Sequence, residues 1–228
     1  MQKNQVPLLS VFAGLCAWYN SDMTTKSSHS IEEEVARTAT FQKLGKLQWL
    51  FATPIIEFNL SPFINPIITK VLLEMQASTN NAVRGVRGAQ DPAKLPELAV
   101  LYQMFQQCVD EYSRQLGLHA NRIASSWMNI LSSGGSVDIH RHHDSIVSGA
   151  FYPHVLPNSS PLIFVSPLDG YRMMDSTRFV THSSYAENVH HVSSETGKLV
   201  LFPSWLQHYV PPNKSDLRIT LSFNTQFL

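Results

Sequence analysis

The chain of 228 residues carries 17 basic and 17 acidic side chains, and 43% of its residues are hydrophobic. This composition is that of a globular protein and excludes a largely disordered chain, and the balanced charge gives no electrostatic basis for a nucleic-acid partner. The two cysteines, Cys16 and Cys108, are far apart and lack CxxC spacing. They indicate a reducing compartment, so we expect a cytoplasmic protein.

The first 47 residues are predicted to be an extension ahead of the main domain. Their apolar run, residues 6–19, is shorter than the about 20 residues that cross a bilayer, so we expect no stable membrane span. A targeting role of residues 1–19 stays open as the alternative to a buried arm. Ser30 and Glu33 have the spacing of a capping box, which predicts a short helix toward Gln42.

The strongest predicted helix covers residues 96–116. Its apolar residues recur at helical spacing, and Gly117 stands where a C-terminal cap belongs. Upstream of it we predict, in chain order, a strand at 50–58, a helix at 67–75 that begins after Pro66, and a loop at 80–92.

From residue 122 onward, short runs rich in Val, Ile, Phe and Tyr alternate with turn residues, which is the pattern of an all-β fold. The predicted strands cover residues 123–131, 136–143, 147–155, 161–166, 189–192, 198–203, 208–210 and 217–225. So many short strands indicate a sandwich or jelly roll with the helices packed on its outer face. The excursion at 168–194, which includes His182, His190 and His191, is typical of a lid or binding loop. Trp127 and Trp205 are predicted to be core residues.

A pair of histidines in the predicted strand 136–143 has the spacing of metal ligands. Side chains alternate along a strand, so His140 and His142 share a face with Asp138 and Asp144, and neighbours on that face lie about 6.6 Å apart. Two imidazoles can meet one ion across that gap, at about 2.1 Å from each nitrogen. Asp138 or Asp144 stays open as an alternative ligand, since a bulge in the strand would bring such a carboxylate to the ion.

A third ligand is offered by His208, which follows an apolar strand and a turn marked by Pro203. Two strand-borne histidines and a distant third make the facial arrangement of a mononuclear non-haem iron site, with positions left open for chemistry. The alternative interpretation is a solvated histidine cluster on a strand edge that binds no metal.

A candidate anion-binding residue lies in the last predicted strand. Alternation places Arg218, Thr220 and Ser222 on one face and an apolar set on the other. A guanidinium fork on a pocket-facing side suits a carboxylate ligand. The competing interpretation is a surface arginine paired with Asp216.

These motifs together resemble those of a group of 2-oxoglutarate/Fe(II) oxygenases similar to the prolyl 4-hydroxylase-type double-stranded β-helix enzymes. The motifs are Trp127-Met128-Asn129, His140-x-His142, residues 148–152 (SGAFY), residues 197–208 (GKLVLFPSWLxH) and residues 218–224 (RITLSFN). The resemblance covers residues 48–228, which we therefore predict to be a double-stranded β-helix, and it is most specific in residues 202–208.

The resemblance implies a role for several residues. His140 and His142 match the first two ligand positions of Fe(II) and His208 the last, and Arg218 matches the residue that holds the distal carboxylate of 2-oxoglutarate. Thr220 or Ser222 matches the position that assists Arg218. Tyr152 and Asn129 match positions that line the pocket.

The implied activity couples decarboxylation of 2-oxoglutarate to oxidation, by default hydroxylation, of a small molecule or a peptide side chain by O2. The second ligand of the wider superfamily is usually Asp or Glu, whereas this chain has His142. Three neutral imidazoles leave the ion more positive than two imidazoles and a carboxylate would. Two alternatives stay open: a three-His cupin-like dioxygenase that does not use 2-oxoglutarate, and a metal-free jelly-roll binding module.

Overall fold

Ten strands and one continuously described α-helix make up most of the described part of the chain in this computed structural model. The structure describes residues 52–64, 68, 70–71, 73–74, 86–87, 91–168 and 188–228. The strands are β1 (Ile56–Asn59), β2 (Val86–Arg87), β3 (Asn121–Leu131), β4 (Val137–His140), β5 (Val147–Val155), β6 (Leu162–Val165), β7 (Val189–Val192), β8 (Lys198–Pro203), β9 (His208–Val210) and β10 (Arg218–Phe227). The helix is α1 (Ala99–Leu116), and the 3-10 turns are Ser61–Phe63, Pro92–Lys94 and Pro96–Leu98.

The strands form two antiparallel sheets. The larger sheet has the order β1-β8-β5-β10-β3-β2 and the smaller one the order β4-β9-β6-β7. From β3 onward the chain crosses repeatedly between the sheets, since β3, β5, β8 and β10 lie in the larger sheet and β4, β6, β7 and β9 in the smaller. This winding is the predicted double-stranded β-helix, and that prediction is confirmed.

Helix α1 covers the outer face of the larger sheet. Its apolar side, which includes Leu101, Phe105 and Val109, packs in one cluster with strand residues such as Met128 and Phe151. The helix ends at a left-handed Gly117 with φ 68°, whose N–H donates to the Arg114 carbonyl. Helix 96–116 was predicted with this cap, and the structure differs only in making its first turn a 3-10 turn.

A second core fills part of the space between the two sheets. It combines larger-sheet residues such as Tyr152 and Phe202 with smaller-sheet residues such as Leu162 and Phe164. The rings of Phe164 and Phe202 meet edge to face with centroids 4.9 Å apart. This apolar layer surrounds the polar groups described below.

Three predicted boundaries were wrong. The predicted strand 50–58 begins only at Ile56, after Pro54, which has no N–H to give to a ladder. The predicted loop 80–92 contains β2, which pairs with β3. The predicted strand 136–143 ends at His140, and the backbone then turns through Asp144, whose φ is 58°.

Several predictions concern residues outside the described part of the chain. These are the extension 1–47 with its helix, most of the excursion 168–194 including His182, and part of the helix 67–75, whose described positions are helical. The compact unit that contains all described strands begins at Thr53. The boundary at 47/48 stays a prediction. Among the described residues, no helix is long and apolar enough to cross a membrane.

Candidate metal centre

Three histidines converge where β4 ends and β9 begins. His140 is the last residue of β4 and pairs in register with His208, the first residue of β9. His142 follows two residues after His140, and the candidate ligand atoms of the three side chains all lie within 4.8 Å of one another. The ring centroids are 4.3 Å apart for His140 and His208, 5.0 Å for His140 and His142, and 5.2 Å for His142 and His208.

The same backbone contact orients two of these rings. His140 Nδ1 lies 2.7 Å from the Asp138 carbonyl, and His208 Nδ1 lies 2.8 Å from the Leu206 carbonyl. A carbonyl only accepts hydrogen bonds, so each Nδ1 carries a proton, and Nε2 is the nitrogen of each ring that can bind a metal. Such a contact to the other ring nitrogen is what fixes a metal-binding histidine in its ligating tautomer.

His208 is held in its neutral form by burial. Its side chain is 5% exposed and the ring of Phe202 lies against it, with centroids 4.7 Å apart. Burial lowers the pKa of His208 to about 3, and His140 and His142 nearby act in the same direction. The side chain is therefore uncharged at neutral pH, the state in which imidazole binds metals.

Among the described residues, no carboxylate belongs to this group of ligand atoms. Asp138 lines the adjoining cavity with an exposed side chain, and Asp144 is an exposed residue of the loop after β4. Three imidazole donors, two of them in a fixed tautomer, suit a divalent transition metal, iron included. The residues present thus fit a metal centre without a carboxylate.

A buried arginine shares the cavity with the three histidines. Arg218 is 2% exposed, and burial lowers the pKa of its guanidinium, which stays protonated. It donates from Nε to the Ser160 carbonyl (3.0 Å) and to Ser194 Oγ (3.2 Å), and from Nη1 to Thr220 Oγ1 (2.8 Å). No ion pair among the described residues includes Arg218, so the predicted alternative, a surface arginine paired with Asp216, was wrong.

The other predicted site residues surround Arg218 or lie further along the same cavity. Arg218 Nη2 lies 3.4 Å from the Tyr152 hydroxyl, and the guanidinium carbon lies 5.0 Å from the centre of the Tyr152 ring. Asn129 donates to Ser222 Oγ at 3.1 Å. The cavity has a volume of about 600 Å³ and is lined by all eight predicted residues: Asn129, His140, His142, Tyr152, His208, Arg218, Thr220 and Ser222.

The sequence prediction misplaced two tryptophans. Trp127 was predicted to be core, but it lines the cavity, with its ring 5.5 Å from that of His142. Its position two residues before Asn129 on the same strand face was a signal that could have placed it there. Trp205, also predicted to be core, is 51% exposed. The partners of Arg218 at Ser160 and Ser194 carried no such signal, since they lie outside the strands.

A double-stranded β-helix that joins three convergent histidines to a buried arginine in one cavity has the design of a mononuclear non-haem metal oxygenase. Residues 125–224 match the family model described as "Putative 2OG-Fe(II) oxygenase". This stretch holds all eight predicted site residues, and its match agrees with the family that the motifs predicted. The predicted enzyme class, a 2-oxoglutarate-dependent oxygenase that uses Fe(II), is confirmed.

Several solved structures share this fold. A prolyl-4-hydroxylase from Pseudomonas putida superposes with a TM-score of 0.53 at 17% identity, covering 78% of this chain and 95% of the other. HygX from Streptomyces hygroscopicus, solved with nickel and 2-oxoglutarate, gives 0.54 at 12% identity over 77% and 83%. The viral collagen prolyl hydroxylase of Paramecium Bursaria Chlorella virus-1, solved with 2-oxoglutarate, gives 0.52 at 9% identity over 76% and 96%. A search of curated proteins gives no significant match.

Proposed function

We propose that His140, His142 and His208 hold a single Fe(II), and that Arg218 holds the distal carboxylate of 2-oxoglutarate. The enzyme then oxidises, by default hydroxylates, a small molecule or a side chain of a peptide or protein. The observation that carries this proposal is a buried guanidinium, without an acidic partner among the described residues, in the same cavity as the three histidines.

The charge of Arg218 supports a carboxylate ligand. A buried cation is costly unless it is paired, and the described partners of Arg218 are neutral oxygens. These partners fix the orientation of the guanidinium but leave its charge uncompensated. A carboxylate that enters the cavity would supply the missing charge through charge-assisted hydrogen bonds.

The histidine set determines how such a centre would work. The three imidazoles would hold the metal ion and leave other coordination positions free for small ligands. When bound, Fe(II) supplies the activation of O2 that is coupled to decarboxylation of 2-oxoglutarate, a step that the side chains cannot perform themselves. The chain contributes orientation, through the Nδ1 contacts, and exclusion of water by Phe202 and Leu162 in the cavity wall.

The proposed substrate class rests on the family and on the cavity. The structures similar to this chain include HygX with hygromycin B bound and two prolyl hydroxylases. Both a small molecule and a peptide side chain are therefore compatible with the fold. The balanced charge of the chain supports neither DNA nor RNA as a substrate.

The proposal is tested by anaerobic purification, loading with Fe(II), and addition of 2-oxoglutarate and O2. We expect O2-dependent formation of succinate that disappears in His208→Ala and falls strongly in Arg218→Leu at low 2-oxoglutarate. O2 consumption without succinate would favour the cupin-like dioxygenase. Failure of the purified protein to bind Fe(II) would favour the metal-free binding module.

A further inference from the structure

His142 is not held by the strand that carries His140. Strand β4 ends at His140, and the backbone N–H of His142 donates to the Ser204 carbonyl at 2.9 Å. The far end of the same loop is also fixed by Ser204, whose N–H donates to the Ile146 carbonyl at 3.1 Å. A single fully buried residue therefore contacts the loop of residues 141–146 on both sides.

The turn that contains Ser204 also presents His208. Within this turn, the Leu206 N–H donates to the Pro203 carbonyl at 2.9 Å, and the Leu206 carbonyl accepts from His208 Nδ1 at 2.8 Å. The position of the turn thus determines where two of the three histidines stand relative to each other.

The side chain of Ser204 connects this turn to the larger sheet. Ser204 Oγ lies 2.8 Å from Ser148 Oγ in β5, and Ser148 Oγ lies 2.7 Å from Asn224 Oδ1 in β10. The amide oxygen of Asn224 only accepts, so Ser148 donates its single hydrogen to Asn224, and Ser204 must donate to Ser148. Ser148 is 1% exposed and Ser204 0%, so neither hydroxyl has water as a substitute partner.

We propose that the hydrogen-bond chain Asn224–Ser148–Ser204 is a positioning device for the metal centre. It fixes the turn 203–206 on the larger sheet, and through that turn it sets the separation of the His142 and His208 imidazoles. These three residues are not among the candidate metal ligands and do not line the cavity. The inference rests on the proposed function, in which His142 and His208 bind the same ion.

The test is the affinity of the full-length protein for Co(II), an ion whose absorption spectrum reports coordination geometry. Ser148→Ala leaves the Ser204 hydroxyl and the Asn224 amide oxygen without their partner. Loss of an outer partner of metal ligands typically weakens metal binding by about 10- to 100-fold. Ser148 acts through Ser204, so we expect a loss of Co(II) affinity at the lower end of this range, about tenfold, and an altered d–d spectrum.

The matched control is Ser113→Ala. Ser113 is also a buried serine, and it accepts a hydrogen bond from Asn121 at 2.9 Å, at the end of α1. Both variants should lower Tm, but only Ser148→Ala should lower Co(II) affinity. If the two variants lose Tm alike and both bind Co(II) like the wild type, with the same spectrum, the positioning role is overturned.

Asn224→Ala removes the last member of the chain at a half-buried position, where less disturbance of folding is expected. We expect at least a twofold loss of Co(II) affinity, and unchanged affinity and spectrum would overturn the proposal even if Ser148→Ala does not fold. Wild-type protein is measured first. If it does not bind Co(II), the metal centre itself is refuted, whereas wild-type binding with unaffected variants refutes the hydrogen-bond chain alone.

Discussion

Strand β10 sends side chains of opposite chemistry to its two faces. Ile219, Leu221 and Phe223 belong to the apolar core under helix α1. Arg218 and Thr220, the residues on either side of Ile219, point into the cavity between the sheets. Both faces are buried, so the difference lies in what each face contacts and not in its exposure to water.

The comparison teaches where stability and function are located in this fold. The apolar face is filled by close contacts, such as the rings of Phe105 and Phe223, stacked with centroids 5.3 Å apart. The polar face is organised around a 600 Å³ cavity and a buried charge. We therefore expect substitutions on the apolar face to lower the free energy of unfolding and those on the polar face to lower ligand affinity.

The largest expected effect is that of Phe223→Ala. Removing a fully buried aromatic side chain leaves a cavity under α1 and should cost about 3–5 kcal/mol in the free energy of unfolding. Urea denaturation monitored by circular dichroism measures this loss. Phe227→Ala, at a position 57% exposed near the end of the same strand, should change stability by less than about 0.5 kcal/mol. Equal losses of unfolding free energy in the two variants would contradict the assignment of stability to the apolar face.

For Arg218→Leu we expect a free-energy change of similar size, in the binding of 2-oxoglutarate and not in unfolding. If Arg218 holds the distal carboxylate of 2-oxoglutarate as proposed, loss of the guanidinium leaves that carboxylate unpaired, which typically costs about 2–5 kcal/mol. The affinity for 2-oxoglutarate should then fall at least tenfold. Anaerobic calorimetric titration of the metal-loaded protein measures this, and metal affinity should be unchanged. Wild-type affinity for 2-oxoglutarate in the variant would show that this face does not bind the co-substrate.

A smaller effect is expected from pH on the metal-free protein. The pKa of His208 is about 3 in the folded protein, against about 6.5 for an unperturbed histidine. Between pH 3 and pH 6.5 the unfolded chain therefore binds one proton more than the folded chain at this residue. The free energy of unfolding should therefore decrease as pH falls below 6.5, with a contribution of up to about 1.4 kcal/mol per pH unit.

Urea denaturation at several pH values between 6.5 and 4.5 checks this contribution. His208→Gln has no titrating group at this position, so its stability should depend less steeply on pH over the same window. Identical slopes in the two proteins would mean that burial does not perturb His208.

Much of the division of β10 into an apolar and a polar face could be predicted from residue periodicity. Alternation along 217–225 placed Arg218, Thr220 and Ser222 opposite the apolar set, and the structure agrees because β10 pairs with β3 without a register shift from Arg218 to Asn224. The helix 96–116 was also predictable, since its apolar spacing and Gly117 cap are local signals.

The placement of His142 shows the limit of that reasoning. The prediction placed His140 and His142 on one face of a continuous strand, but the strand ends between them. His142 reaches the cluster through a backbone contact with Ser204, a residue 62 positions further along the chain. Long-range contacts of this kind leave no periodic signal. Asn224 did leave a periodic signal, because it continues the polar alternation of Arg218, Thr220 and Ser222.

The most direct test of the central claim is the metal content of anaerobically purified protein, compared between the wild type and three alanine variants. We expect one Fe(II) per wild-type chain, severe loss in His142→Ala, and near-normal content in His143→Ala and Asp144→Ala, whose side chains lie outside the cluster. Severe loss in Asp144→Ala with normal content in His142→Ala would contradict the three-histidine assignment.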